Sequence, residues 1–256
     1  MPSLFDWMAN AAARCAASSF RFFPGRCILC RAQSNRPMDL CCACEADLPR
    51  IHSPCRQCGL SVLGNAPGRE HYCAPCLVNP PPYDRSFSAF KYASPVRQLI
   101  TEFKQHRQLV VGEMLSQVLA RRFQQNLLEQ AHQRHQTTPD ILIPMPLHPS
   151  RMKSRGFNQA ELIAQVVGRQ TGITCDTRRC HRVKQTEDQK GLTAADRRTN
   201  IRGAFSVVQP LHGEYIVIVD DVMTTAATVS ELARCLRRAG AGTIEILTLA
   251  RTPAPK

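Results

Sequence analysis

The sequence predicts an α/β fold, a parallel sheet with helices on both faces, preceded by a small module held by metal rather than by a core. Three observations carry this. Residues 214–220 (EYIVIVD) form a near-continuous β-branched run, as a strand covered on both faces requires. A helical pattern over 229–239 and a second apolar run over 243–250 follow it, making a strand–helix–strand unit. Ten of the 13 cysteines lie at or before Cys76, in a stretch without helical or strand periodicity. A chain of 256 residues, 43% apolar and 21% charged, suits one sizeable core with a satellite module and excludes a disordered or fibrous protein.

The remaining elements follow in order. Residues 1–23 read as an amphipathic helix or arm, and 24–79 as the cysteine module. Pro80, Pro81 and Pro82 make a stiff boundary that neither a helix nor a central strand can cross. Beyond it the domain of residues 83–252 begins with a strand over 85–92. A helix runs from about Pro95 to Phe103, a longer one over 110–131, and a short buried strand over 140–144 ends at proline. Leu162, Ile163, Val166 and Val167 space a helix over 157–170, which Gly172 stops. No apolar run reaches the length of about 18 residues that a membrane span needs. Asp6 and Arg14 interrupt the N-terminal apolar stretch, which makes a poor signal peptide. The expected location is the cytoplasm, without membrane insertion.

In a reducing compartment, dense paired cysteines indicate metal rather than disulfides. Four CxxC pairs occur: Cys27/Cys30, Cys41/Cys44, Cys55/Cys58 and Cys73/Cys76. Each knuckle supplies two thiolates from one tight turn, so the segment can hold two structural Zn2+ ions. Sequential pairing is simplest. The spacing leaves cross-pairing open, with Cys42, His52 and His71 as spare donors. A redox or iron–sulfur role is the alternative, but iron–sulfur sites use one set of four cysteines, and a redox CxxC sits at a strand–helix junction. Cys175, Cys180 and Cys235 read as small buried apolar residues.

The formal charge is +13, and residues 151–202 alone carry twelve basic and five acidic residues. Such a surface favours polyanions, nucleic acid or phosphates, without saying which. The most informative segment is Asp220-Asp221-Val-Met-Thr224-Thr225-Ala226-Ala227-Thr228, in which a strand delivers two adjacent carboxylates and a Thr/Ala loop opens a helix. Unpaired amides at a helix N-terminus favour phosphate. Vicinal acids can accept hydrogen bonds from two vicinal hydroxyls. Together they fit a ribose 5-phosphate.

This segment resembles the phosphoribosyl-pyrophosphate (PRPP) motif of type I phosphoribosyltransferases. The whole chain resembles the competence-protein ComF family, also called ComFC or GntX-like. Further matches are Pro144-Met-Pro-Leu-His148-Pro, Arg155-Gly-Phe-Asn-Gln159, Gln189 with Leu192, and Arg197-Arg-Thr-Asn-Ile-Arg-Gly203. The resemblance implies a type I phosphoribosyltransferase-like sheet behind a double zinc ribbon. It assigns Asp220 and Asp221 to the ribose hydroxyls as the catalytic pair, and Thr224, Thr225, Ala226, Ala227 and Thr228 to the 5-phosphate. Met145, Pro146, Leu147 and His148 fall where such folds place the pyrophosphate loop, with Arg151, Lys153 and Arg155 following. Residues 178–200, including Arg182 and Lys184, occupy the place of a mobile hood. Mg2+ would be held mostly by substrate oxygens and water. The family loop usually reads TTGAT, and Ala226 here replaces glycine, which is costly if the position needs φ > 0 or close backbone approach to phosphate, so weakened rather than abolished binding is expected.

Bland readings stand beside these. Arg178, Arg179, Arg182 and Lys184 also suit a solvated basic face, 156–159 a helix start capped by Asn158, and His148 a turn residue. Three functions remain: phosphoribosyl transfer to an acceptor, PRPP sensing, and handling of single-stranded DNA alongside competence proteins. An aromatic content of 6% argues against base stacking as the main binding mode.

Overall fold

The computed structural model describes residues 25–62, 71–134, 138–184 and 200–254. The expected arm over 1–23, and residues 185–199 of the expected hood with Gln189 and Leu192, lie outside them. The chain divides between Leu48 and Pro49 into two compact units. In the first, an antiparallel bridge joins Arg26 to Gln33, and the one-turn helix α1 (Cys42–Ala46) starts on Cys41, whose sulfur accepts the Cys44 N–H at 3.4 Å.

The second unit opens with the other pair of knuckles, and α2 (Ala74–Val78) starts on Cys73. The rest alternates strands and helices. β1 (Arg85–Lys91) leads to α3 (Val96–Gln105) and α4 (Leu109–Arg134). β2 (Ile141–Pro144) leads through α5 (Pro149–Arg155) and α6 (Gln159–Thr171) to β3 (Thr174–Cys175). β4 (Cys180–Arg182) and β5 (Phe205–Val207) form a separate antiparallel pair. β6 (Tyr215–Met223), α7 (Ala227–Arg238) and β7 (Thr243–Arg251) complete the chain.

The five-stranded sheet has the order β1-β7-β6-β2-β3, and every pairing in it is parallel. Ile216 and Ile218 of β6 share a core cluster with Ile244 and Ile246 of β7 and with Leu232 and Leu236 of α7. Val217, Val219 and Leu247 are also fully buried. By strand alternation they point to the opposite face, where α4 and α6 pack on the sheet. Both faces are thus covered, as the unbroken β-branched runs require.

The order of the strands creates the site. From β2 the chain moves outward to β3, whereas from β6 it moves the other way to β7. A crevice therefore opens where β2 and β6 lie side by side, at the carboxyl ends of both strands, the usual ligand position in an open parallel sheet.

The expected strands and long helices are present within a few residues. The short elements α1, α2, β3, β4, β5 and α5 were not expected. Residues 149–155, a basic stretch in the sequence, form α5: the His148 ring accepts the Ser150 N–H at 3.3 Å, Pro149 starts the helix, and Gly156 stops it at φ 82°. None of its residues is buried, so it carries no apolar periodicity to read.

At the α3–α4 junction, Val96, Leu99, Ile100 and Phe103 are buried on one stripe. Phe103 lies against Gly112, where an added Cβ would come within 2.3 Å of the ring. Gly112→Ala is expected to lower stability by about 1–3 kcal/mol, the usual penalty of overpacking, as read from the denaturation midpoint.

Candidate functional site

A cavity of about 510 Å³ fills the crevice between β2 and β6. Its floor is the end of β6. Asp220 is half-buried and Asp221 is buried, and both line the cavity. Neighbours in a strand point to opposite faces, so the two carboxylates meet different partners. Lys104 Nζ, at the C-terminal end of α3, lies 2.6 Å from Asp221 Oδ2. Asp220 Oδ1 accepts the Asp221 N–H at 2.9 Å.

One wall is the start of α7. Thr224, Ala226, Ala227 and Thr228 line the cavity, and Ala226 sits at φ 60°. Alanine thus occupies a left-handed conformation that glycine adopts freely. The opposite wall follows β2, where the Met145 N–H donates to Val219 O at 2.8 Å and Met145 and Leu147 face the cavity. Asn158 fastens this wall: its Nδ2 donates to Met145 O at 3.1 Å while its Oδ1 accepts the Ala160 N–H at 3.1 Å, capping α6. Arg155 Nη1 donates to Gln159 Oε1 at 2.9 Å.

Four cations, Lys104, Arg151, Arg155 and Arg182, face the cavity against two acids. Burial raises the Asp220 carboxyl to about 7, the charge of Asp221 adds to this, and Lys104, the Asp221 N–H and Arg182 oppose it. Burial works against the Lys104 ammonium, but Asp221 and then Asp220 hold its pKa above the ordinary value. Burial, with Arg151 nearby, depresses Arg182. Such crowded cations suit a multiply charged anion.

Most expected positions meet here: Asp220, Asp221, Thr224, Ala226, Ala227, Thr228, Met145, Leu147, Arg151, Arg155 and Arg182 line one cavity. Thr225, Pro146, His148 and Lys184 are not among the lining residues. Thr225 and Lys184 are exposed, Pro146 is buried, and His148 caps α5. Arg179 pairs with Asp176 at 3.0 Å and Glu214 at 3.4 Å, away from the cavity lining. The sequence reading missed Lys104 and Tyr92. Lys104 stood one turn after Ile100, beside the apolar stripe of an amphipathic helix, which was a usable signal for a half-buried cation.

The cysteines form two tetrads in sequential pairing: Cys27, Cys30, Cys41 and Cys44, and separately Cys55, Cys58, Cys73 and Cys76, the four sulfurs of each within 4.8 Å of one another. Tetrahedral Zn–S bonds of about 2.3 Å place sulfurs about 3.8 Å apart. Cys30 and Cys41 Sγ are 3.8 Å apart, and Cys58 and Cys73 Sγ 3.5 Å. Against the cost of burial, the N–H groups of Cys30, Cys41 and Leu29 bring the Cys27 thiol down to about 6, while the hydrogen bond with Cys41 and burial push the Cys44 thiol up. Cys42, which was a spare donor, is exposed and outside the tetrads.

The raised carboxyl of Asp220 has a consequence for stability. Below its ordinary value of 3.8 the group is protonated whether folded or not, and it adds no penalty. Between there and about 7 the folded chain keeps a proton that the unfolded chain releases, so stability falls as pH rises. Asp220→Asn is expected to raise the melting temperature clearly at pH 8 and little near pH 4, as followed by calorimetry.

The sequence matches the family described as Double zinc ribbon domain over residues 20–77, and that described as Phosphoribosyl transferase domain over 125–256. DNA utilization protein YhgH of Escherichia coli (strain K12) is 35% identical over 234 residues, 90% of this chain and 98% of that protein. Competence protein F of Haemophilus influenzae is 33% identical over 235 residues, again 90% and 98%. Competence protein ComFC of Bacillus subtilis is 32% identical over 116 residues, 44% of this chain and 45% of that protein. Among solved structures, a hypoxanthine phosphoribosyltransferase from Staphylococcus aureus is 13% identical with a TM-score of 0.33, covering 56% of this chain and 69% of that one. Identity to competence and DNA-utilization proteins over nine-tenths of the chain, joined to a parallel sheet and two cysteine tetrads, places this protein in the ComF family, with a phosphoribosyltransferase-fold domain and a double zinc ribbon.

Proposed function

We propose that the crevice binds PRPP or a related ribose 5-phosphate and transfers the phosphoribosyl group to an acceptor. The observation that carries this is the convergence of two vicinal carboxylates, a helix-opening loop and four cations on one cavity. Asp220 and Asp221 accept hydrogen bonds from the ribose hydroxyls. The 224–228 loop takes the 5-phosphate at the start of α7. Arg151 and Arg155 face the pyrophosphate beside the 145–148 loop, and Arg182, with Lys184 behind it, approaches from the hood side. Asp220 and Asp221 offer the oxygen donors that a hard cation such as Mg2+ prefers, and Mg2+ would be held there mostly by substrate oxygens and water, supplying positive charge to the leaving pyrophosphate.

In the reaction a nitrogen nucleophile forms a bond to ribose C1 while the C1–O bond to pyrophosphate breaks with its electron pair. Positive charge develops on the ring and negative charge on the leaving group. The arginines stabilise the latter, and the carboxylates hold the ring in line. Lys104 neutralises Asp221 until the ligand arrives.

A second reading rests on the names of the relatives, which concern DNA utilization and competence, and on the charge of +13. Here the basic surface contacts single-stranded DNA and the crevice senses PRPP. Affinity for single-stranded DNA should then fall steeply with salt, and a flat response dismisses this reading.

The first reading is tested by calorimetry with PRPP and Mg2+. The double variant Asp220→Asn/Asp221→Asn is expected to lose binding by roughly two to four orders of magnitude, since each lost charged hydrogen bond is worth about 1.5–3 kcal/mol. Retained affinity would dismiss the ribose role. Wild-type affinity should weaken between pH 8 and pH 6 as Asp220 takes up a proton at about 7. Ala226→Gly is expected to raise the melting temperature by removing about 1 kcal/mol of left-handed strain that the loop carries without ligand. Metal analysis should return about two zinc ions per chain, one for each tetrad.

A further inference from the structure

Arg251 ends β7 and is buried behind the loop that opens α7. Its guanidinium donates in two directions. Nε donates to the carbonyl of Cys58, in a knuckle of the second tetrad, at 2.7 Å. Nη1 donates to Met223 O at 3.0 Å, to Thr252 O at 3.1 Å and to Thr224 O. Met223 is the last residue of β6, and Thr224 begins the 224–228 loop. One buried side chain therefore joins a metal knuckle to the wall of the crevice.

Other contacts tie the same surfaces. Gly59, directly after Cys58, has φ +69°, and a Cβ there would lie 3.3 Å from Ser86 Oγ and 3.7 Å from Met223 Cε. The Ser86 N–H donates to Arg56 O at 2.9 Å, and Tyr83 Oη lies 4.0 Å from Met223 Sδ. The loop also needs a brace. Ala226 is held left-handed, and a strained residue keeps that conformation only where its surroundings over-determine it.

We propose that Arg251 is a positioning residue through which the second cysteine tetrad holds the 224–228 loop in its anion-binding conformation, so that metal occupancy at Cys55, Cys58, Cys73 and Cys76 sets the affinity of the crevice. The identity of the ligand rests on the reading above. The order of the loop does not.

The test is amide hydrogen exchange of residues 223–228 in the full chain without ligand, with PRPP titrations in parallel. Four samples are compared: zinc-loaded wild type, chelated wild type, zinc-loaded Arg251→Met and chelated Arg251→Met. Chelation alone and Arg251→Met alone are each expected to speed loop exchange by about tenfold or more, the size of one charged hydrogen bond. Applied together they should add nothing further, because both act through one link. Additive effects, or an unchanged loop in either single case, would overturn the proposal. Should Arg251→Met unfold globally, Arg251→Lys decides: it keeps the charge but not the two-way fork, and intermediate loop exchange is expected, wild-type exchange being the contrary result. Gly59→Ala strains the left-handed residue that follows Cys58 and brings a methyl group against Met223, so it should speed loop exchange with both zinc ions retained. If the loop responds as expected but PRPP does not bind the wild type, the function proposed above fails while this link stands.

Discussion

Two neighbouring carboxylates at the end of a buried strand repel each other and lose hydration, and the site depends on how that repulsion is tolerated. The protein answers with a cation from a distant helix, a backbone N–H and a ring of arginines. Lys104 takes Asp221 at 2.6 Å, and the Asp221 amide donates to Asp220 at 2.9 Å. Asp220 is nevertheless left with a raised pKa, near 7. A carboxyl held away from its preferred ionisation, in a cavity lined by more cations than acids, costs stability at neutral pH. The sheet supplies the place, because the connections after β2 and β6 move in opposite directions along the sheet and leave a crevice at the ends of these two parallel strands.

The cysteine tetrads solve a different problem. Residues 25–62 and 71–79 have few large apolar side chains, and knuckles closed by thiolates replace a core that so short a segment cannot build. The two ribbons, alike in sequence, differ in setting. The first belongs to a unit of its own. The second is part of the larger unit, where Arg251, Gly59 and Ser86 join it to the end of β6. One side chain, Arg251, separates this tetrad from the loop that opens α7.

Much of the architecture and of the site was legible residue by residue. The β-branched run ending in Asp220 and Asp221 had to be a central strand, and the Thr/Ala loop after it had to open a helix. The family's glycine at the place of Ala226 left a positive φ and a close approach to phosphate both open, and the φ of 60° decides for the first. Other parts were illegible for identifiable reasons. Helix α5 buries nothing and so has no periodicity. His148 is a cap, and Arg179 is engaged by Asp176 and Glu214, which composition cannot distinguish from phosphate-binding arginines.

What the chain determines alone is whatever a few neighbouring residues specify. CxxC knuckles, capped helix starts, apolar strands and the acidic pair with its loop all act over ten residues or fewer, where backbone geometry fixes the spacing. What only the tertiary structure decided are partners brought together by strand order. Lys104 reaches Asp221 because α3 packs beside the end of β6, and Arg251 reaches Cys58 across 193 residues because β7 lies between β1 and β6. No local pattern encodes such pairs, since their distance is set by how the sheet assembles and not by separation along the chain.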